Sequence, residues 1–310
     1  MAVLHSQVIF PSSLAELFSI WNRFPDAVPF AGGTSFLRLT DQELPELPKN
    51  ILSLERIDEL RRVIRTERYL EIGAMVKLSD IIALGKTVPE ALSKTLLGIA
   101  GPQLRNLATI GGNICSAGKN GGGIDAAAPM AALDARYELR SASQSRWISA
   151  LRFSTFEYGE EGQTGNVPAA VPRPIMAPRE LLTRIRIPLE QWDSTVYRKF
   201  HARDLAGSSA GTHNSENSSP DECEGVLIFI LKTEKNILTD IRAVFAGSCL
   251  LRDRNSEIFL EGRKLPLDKK DVFHHRELWK TYLSGLEKPG PLLKAKLLNS
   301  IEACIAGLAD

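Results

Sequence analysis

Cysteine is scarce in this sequence. Four occur in 310 residues, Cys115, Cys223, Cys249 and Cys304, and no two stand close enough to form a CxxC pair. That spacing argues against a disulfide framework, a zinc site, and an iron–sulfur cluster ligated by this chain alone, because each needs grouped thiolates. Long apolar runs are also missing. The longest, such as 226–231, fall far short of the roughly 20 residues that span a bilayer. Charge of one sign is not in excess, with 38 basic against 37 acidic residues. No basic stripe suits nucleic acid or an anionic membrane. The N-terminus lacks a basic region followed by an apolar run, so no signal peptide is expected and the cytoplasm is the expected location. Neither GxGxxG nor GxxxxGK[ST] occurs, so the usual dinucleotide and P-loop fingerprints are absent.

What is present suits a soluble globular chain. A hydrophobic content of 44% over this length is enough for two or three packed units. The first fifty residues read as β-α-β. Val8-Ile9-Phe10 is a short apolar run, and Ser13 and Glu16 have capping-box spacing. Leu14, Leu17, Phe18 and Trp21 form one apolar helical face, and Pro25 ends the helix. A strand over 28–31 runs into Gly32-Gly33-Thr34. Further strands are expected at 51–54 and 69–72, and helices from Ser79 and over 90–100. Alternating strands are expected through much of 137–188. In the last third, 196–200, 226–232 and 240–246 read as three strands, and 257–260, 278–286 and 292–308 as helices. Three consecutive strands favour an antiparallel meander backed by helices. Between the first two lies 206–225, rich in Ser, Gly, Asn and Glu, which reads as a mobile loop.

Two glycine pairs carry the chemistry: Ala31-Gly32-Gly33-Thr34-Ser35 and Ala108-Thr109-Ile110-Gly111-Gly112-Asn113. Consecutive backbone N–H groups in a tight turn can face a phosphate without a side chain in the way. Glycine permits the positive φ and the close approach such a turn needs. If Phe36 begins a helix, its unbonded N–H groups add to the attraction. Either pair alone is compatible with an ordinary turn. The residues themselves take the reading as far as an anionic cofactor bound by two glycine-rich turns.

The stretches 29–34 and 108–114, at this spacing, resemble the FAD-binding domain of the molybdopterin dehydrogenases, the flavin subunits of xanthine dehydrogenase, carbon monoxide dehydrogenase and their relatives. Ile72-Gly73-Ala74 with Leu78-Ser79-Asp80, Asp125 with its following apolar run, 178–188, and the pattern of 240–247 with Glu257, Leu260 and Gly262 agree with it. The resemblance implies an α+β fold: a two-lobed PCMH-type FAD-binding domain followed by a C-terminal antiparallel sheet of three strands with helices. The units would be 1–55, 56–190 and 191–310.

The same resemblance implies FAD as cofactor. Pro29, Phe30, Ala31, Gly32, Gly33, Thr34, Ser35 and Phe36 would hold its pyrophosphate together with Thr109, Ile110, Gly111, Gly112 and Asn113. Ile99 would pack on the adenine, Asp125 would accept hydrogen bonds from FAD hydroxyls, and Leu182 and Lys199 would border the flavin. No catalytic side chain and no metal ligand is expected. The implied function is electron transfer between 2Fe–2S clusters of a partner subunit and an outside acceptor, beside a molybdopterin-binding large subunit. A subunit that has lost FAD and acts as a scaffold, or a stand-alone flavoprotein oxidoreductase, are the alternatives. Cys115 is read as structural and His274-His275 as a surface pair.

Overall fold

The computed structural model describes residues 6–34, 47–115, 125–153, 176–201 and 223–309. The first layer is a parallel sheet of β1 (Gln7–Ile9), β2 (Val28–Phe30) and β3 (Asn50–Ser53), in the order β1-β3-β2, with α1 (Leu14–Arg23) crossing between the first two strands. The helix buries Leu14, Leu17, Phe18 and Trp21, the face expected from the 3.6-residue period. Ser13 caps it by accepting from the Glu16 amide at 3.2 Å. Glu16 reaches back one residue further than a capping box, to the amide and hydroxyl of Ser12, both at 2.7 Å.

The second layer is an antiparallel sheet of β4 (Val63–Arg65), β5 (Tyr69–Gly73), β6 (Arg136–Arg140), β7 (Ser145–Ser149) and β8 (Leu181–Pro188), in the order β4-β5-β8-β6-β7. The short strand β4 was not expected from the sequence; a helical turn, Asp58–Arg61, leads into it. Between β5 and β6 run α2 (Leu78–Ala83), α3 (Glu90–Leu97), α4 (Pro102–Arg105), α5 (Ile110–Cys115) and α6 (Ala127–Ala132), and α7 (Ala150–Phe153) follows β7. The expected helix over 90–100 ends at Leu97, because Ala100 turns left-handed with φ 46° just before Gly101-Pro102.

The third layer has four strands, not three: β9 (Ser194–His201), β10 (Cys223–Glu234), β11 (Ile237–Gly247) and the short β12 (Leu250–Arg252), an antiparallel meander in the order β12-β11-β10-β9. The expected loop over 206–225 gives up 223–225 to β10, and its residues up to 222 lie outside the described ones. α8 (Arg254–Leu260), α9 (Lys269–Ser284) and α10 (Pro291–Ala306) cover one face. The unbroken apolar run of β10 follows from burial on both sides. Val226, Ile228 and Ile230 join a core shared with β5, β6, β8 and helices α2, α3, α5 and α6. Leu227, Phe229 and Leu231 join a second core under α8–α10. His275 on α9 is buried in place of the expected surface position. α9 starts nine residues before the expected helix because its first turns are polar, and Asp268 caps it through the Lys270 amide.

The last two layers are also joined by charge. Arg242 donates to Ala132 O at 2.7 Å and Arg252 to Ala131 O at 3.2 Å, so two guanidinium groups satisfy carbonyls at the end of α6. Among the described residues no helix is long and apolar enough to cross a membrane.

Candidate cofactor site

β2 delivers the first glycine pair. Leu54 donates to Phe30 O at 3.0 Å, which fixes the strand end, and the chain then turns through Ala31, Gly32, Gly33 and Thr34. Gly33 has φ +71°, the left-handed conformation that glycine adopts without a Cβ penalty. The Phe30 ring folds back over it. Gly32 meets a different constraint: a Cβ there would lie 1.9 Å from Leu107 O. The first turn therefore rests on the backbone that leads into the second. No acceptor among the described residues takes the amide hydrogens of Gly32, Gly33 or Thr34, and all three residues are partly exposed. Ser35 and Phe36 lie outside the described residues.

The second pair is built otherwise. It opens α5, with Thr109 as its cap: the hydroxyl accepts from the Gly112 amide at 3.1 Å. The segment is stitched to the end of β5 and the start of α2. Leu78 donates to Ala108 O, Ile110 to Val76 O and Gly111 to Ala74 O, at 3.0, 3.0 and 2.9 Å. Asn113 donates to Thr109 O at 2.9 Å. The sequence reading gave this turn the same amide-lined role as the first. In the structure the amides of Ile110, Gly111, Gly112 and Asn113 are spent on the protein's own oxygens. Gly111 serves close packing, since a Cβ there would sit 2.7 Å from both Ala74 Cβ and Ala74 O. What this turn leaves partly exposed is Gly112 and Asn113, while Thr109 is buried.

Asn113 ties the turn to Asp125, because its Oδ1 accepts from the Ala126 amide at 3.2 Å. Lys199 on β9 donates to Asp125 Oδ2 at 2.8 Å and to Gly98 O at 3.0 Å. This mostly buried pair brings together three residues separated by up to 101 positions. Ile99 follows Gly98 directly and is buried. Leu182 lies on β8 opposite Leu139, with its side chain in the central core. The structure thus gathers Asp125, Lys199 and the Ile99 loop at one end and places the first turn against the second; Lys199, expected at the flavin, sits beside the residue expected at the adenine, and Leu182, also expected at the flavin, packs into the core because β8 is covered on that face.

Beside the site, Arg105 carries no signal in the sequence, and Cys115 is read there as structural. Arg105, on α4, donates to three carbonyls of the 97–100 loop. Nothing in Gln103-Leu104-Arg105-Asn106 marks it, since its partners are fixed only by the fold. Cys115 closes α5, and burial pushes its thiol up to about 12, which leaves it without thiolate character at neutral pH.

A family model described as the FAD binding domain in molybdopterin dehydrogenase matches residues 4–190. The glyceraldehyde dehydrogenase medium chain of Sulfolobus acidocaldarius is 29% identical over 237 residues, 76% of this chain and 73% of that one. The carbon monoxide dehydrogenase medium chain of Afipia carboxidovorans is 31% identical over 183 residues, 58% of this chain and 57% of that one. The xanthine dehydrogenase FAD-binding subunit of Escherichia coli O157:H7 is 30% identical over 147 residues, 46% of this chain and 49% of that one. The match thus spans about half the length of the last two relatives. Among solved structures, a chain of carbon monoxide dehydrogenase from Hydrogenophaga pseudoflava superposes with a TM-score of 0.72 at 20% identity, covering 98% of this chain and 97% of that one. That likeness is one of fold. With the family model covering more than half of its length, the chain belongs to the FAD-binding domain family of the molybdopterin dehydrogenases, whose members are oxidoreductase flavoproteins.

Proposed function

We propose that this chain carries FAD as the middle electron carrier of a molybdenum hydroxylase complex, between 2Fe–2S clusters on a partner subunit and an external acceptor. The complex would include a molybdopterin-binding large subunit that handles the substrate, and would work in the cytoplasm. The chain would divide into units at 1–55, 56–190 and 191–310. The observation that carries this reading is the triplet of amides at Gly32, Gly33 and Thr34 that meet no acceptor among the described residues, with Gly32 pressed against the approach to Thr109.

The donor set fits the group. A diphosphate needs several donors and little side-chain bulk, and a glycine turn with consecutive N–H groups offers both. In this reading Pro29, Phe30, Ala31, Gly32, Gly33, Thr34, Ser35 and Phe36 cradle the pyrophosphate, with Asn113 adding a side-chain donor and Thr109, Ile110, Gly111 and Gly112 setting the backbone. Ile99 covers the adenine. Asp125 accepts from hydroxyls, held in place by Lys199. Bound flavin exchanges electrons singly or in pairs, so it can join one-electron clusters to a two-electron acceptor. The protein's share is to bind, orient and shield it, and no side chain need act as acid or base.

The test is to purify the chain and denature it. Release of a yellow cofactor that co-migrates with FAD, one per chain, is the expected result. A folded, colourless chain that takes up no added FAD would refute the proposal.

A further inference from the structure

The stretch 97–108 joins the two ends of the candidate site. At its start, Gly98 O accepts from Lys199, the same ammonium that grips Asp125. At its end, Leu107 O lies under Gly32. Between them Arg105 folds the stretch back on itself. Its Nη1 lies 3.0 Å from Leu97 O, 3.0 Å from Ile99 O and 2.6 Å from Ala100 O. A helix end needs a donor for its orphan carbonyls, and one such bond at Leu97 would cap α3. Here one guanidinium nitrogen is shared among three carbonyls, across a bend that includes Ala100 at φ 46°. A residue with a Cβ resists that conformation, so it persists only where its surroundings impose it.

We infer that Arg105 is a positioning residue for FAD: it holds 97–101 in the shape that sets the Ile99–Lys199 part of the site at its distance from the Gly32 turn. The inference rests on the FAD reading above. Arg105 touches no cofactor atom in this scheme and acts only through the loop it grips. An extended dinucleotide must reach both ends at once, so a loop free to unfold from its bend lowers affinity even with every contacting residue intact. Lysine substitutes poorly, because a single ammonium on a flexible stem lacks the planar fork of guanidinium.

The test uses the full chain stripped of flavin, as wild type, Arg105→Met and Arg105→Lys. FAD binding is read by quenching of flavin fluorescence, and backbone mobility by hydrogen exchange. Arg105→Met is expected to weaken FAD binding about tenfold or more and to speed exchange over 97–108, with exchange in 69–73 and 181–188 unchanged. Arg105→Lys is expected to fall between it and wild type. If exchange rises in those sheet strands as well, the Met variant is loosened throughout, and Arg105→Lys is judged by the same two criteria in its place. Arg105→Met with FAD affinity within twofold of wild type overturns the inference, as does weakened binding without faster exchange in 97–108. A wild-type chain that binds no FAD overturns instead the functional reading beneath it.

Discussion

Replacing Gly32 by alanine puts the relation between the two turns to a direct test. The new Cβ would sit 1.9 Å from Leu107 O and 2.8 Å from Leu107 C, and real Cβ contacts essentially never fall below 3.0 Å. The gap must therefore open by at least 1.1 Å, and both sides are backbone. Leu107 and Ala108 are held by Leu104 O, and Ala108 O by the Leu78 amide. Gly32 follows β2, which is paired along β3. Overpacking of this kind costs about 1–3 kcal/mol of stability. Displacing one amide from a phosphate adds a loss of about 1.5–3 kcal/mol in binding, roughly 10- to 100-fold in Kd. Gly262→Ala is the control. Its φ is +82° with nothing within 4 Å, so it carries a left-handed penalty of about 1–2 kcal/mol and no clash. FAD titration by fluorescence quenching, with thermal denaturation of each unligated protein, separates the two. A folded Gly32→Ala chain with unchanged FAD affinity would show that the first turn does not face the cofactor.

Thr109→Ala removes the cap of α5 and is expected to lower the unfolding free energy by about 1 kcal/mol in urea, while Thr109→Ser keeps it; equal stability of the two variants would count against the cap. Burial holds His275 neutral in the folded chain, with its ionisation lowered from 6.5 to about 4. Its contribution is full above pH 6.5 and is lost as pH falls from there toward 4, because only the unfolded chain takes up the proton. The loss reaches about 3 kcal/mol. His275→Leu is expected to flatten that acid limb in denaturation midpoints measured from pH 7 to 4.5, and an unchanged slope would assign the acid sensitivity to other groups.

Much of the architecture is written locally. The apolar face of α1, the strand ends at Phe30 and Gly73, and the meander around β10 all follow from periodicity and turn chemistry, which depend on neighbours in the chain. Errors fall where a distant partner decides. β4 is three residues long and gains its partner only by pairing with β5. β12 likewise depends on β11. His275 reads as polar, yet the packing of α9 buries it.

The site divides the same way. The two glycine pairs and their spacing are properties of the sequence, and so is the first turn's need for a residue that tolerates positive φ. The different tasks of the four glycines were settled by the tertiary fold. Gly33 bends the chain, Gly32 and Gly111 let backbones touch, and Gly112 lies against the Thr109 hydroxyl that caps its helix. The Lys199–Asp125 pair and the Arg105 clamp are also products of the fold. Each joins groups whose proximity is created when the sheets and helices pack, and a residue's type and its neighbours in sequence do not specify which distant carbonyl or carboxylate will arrive beside it.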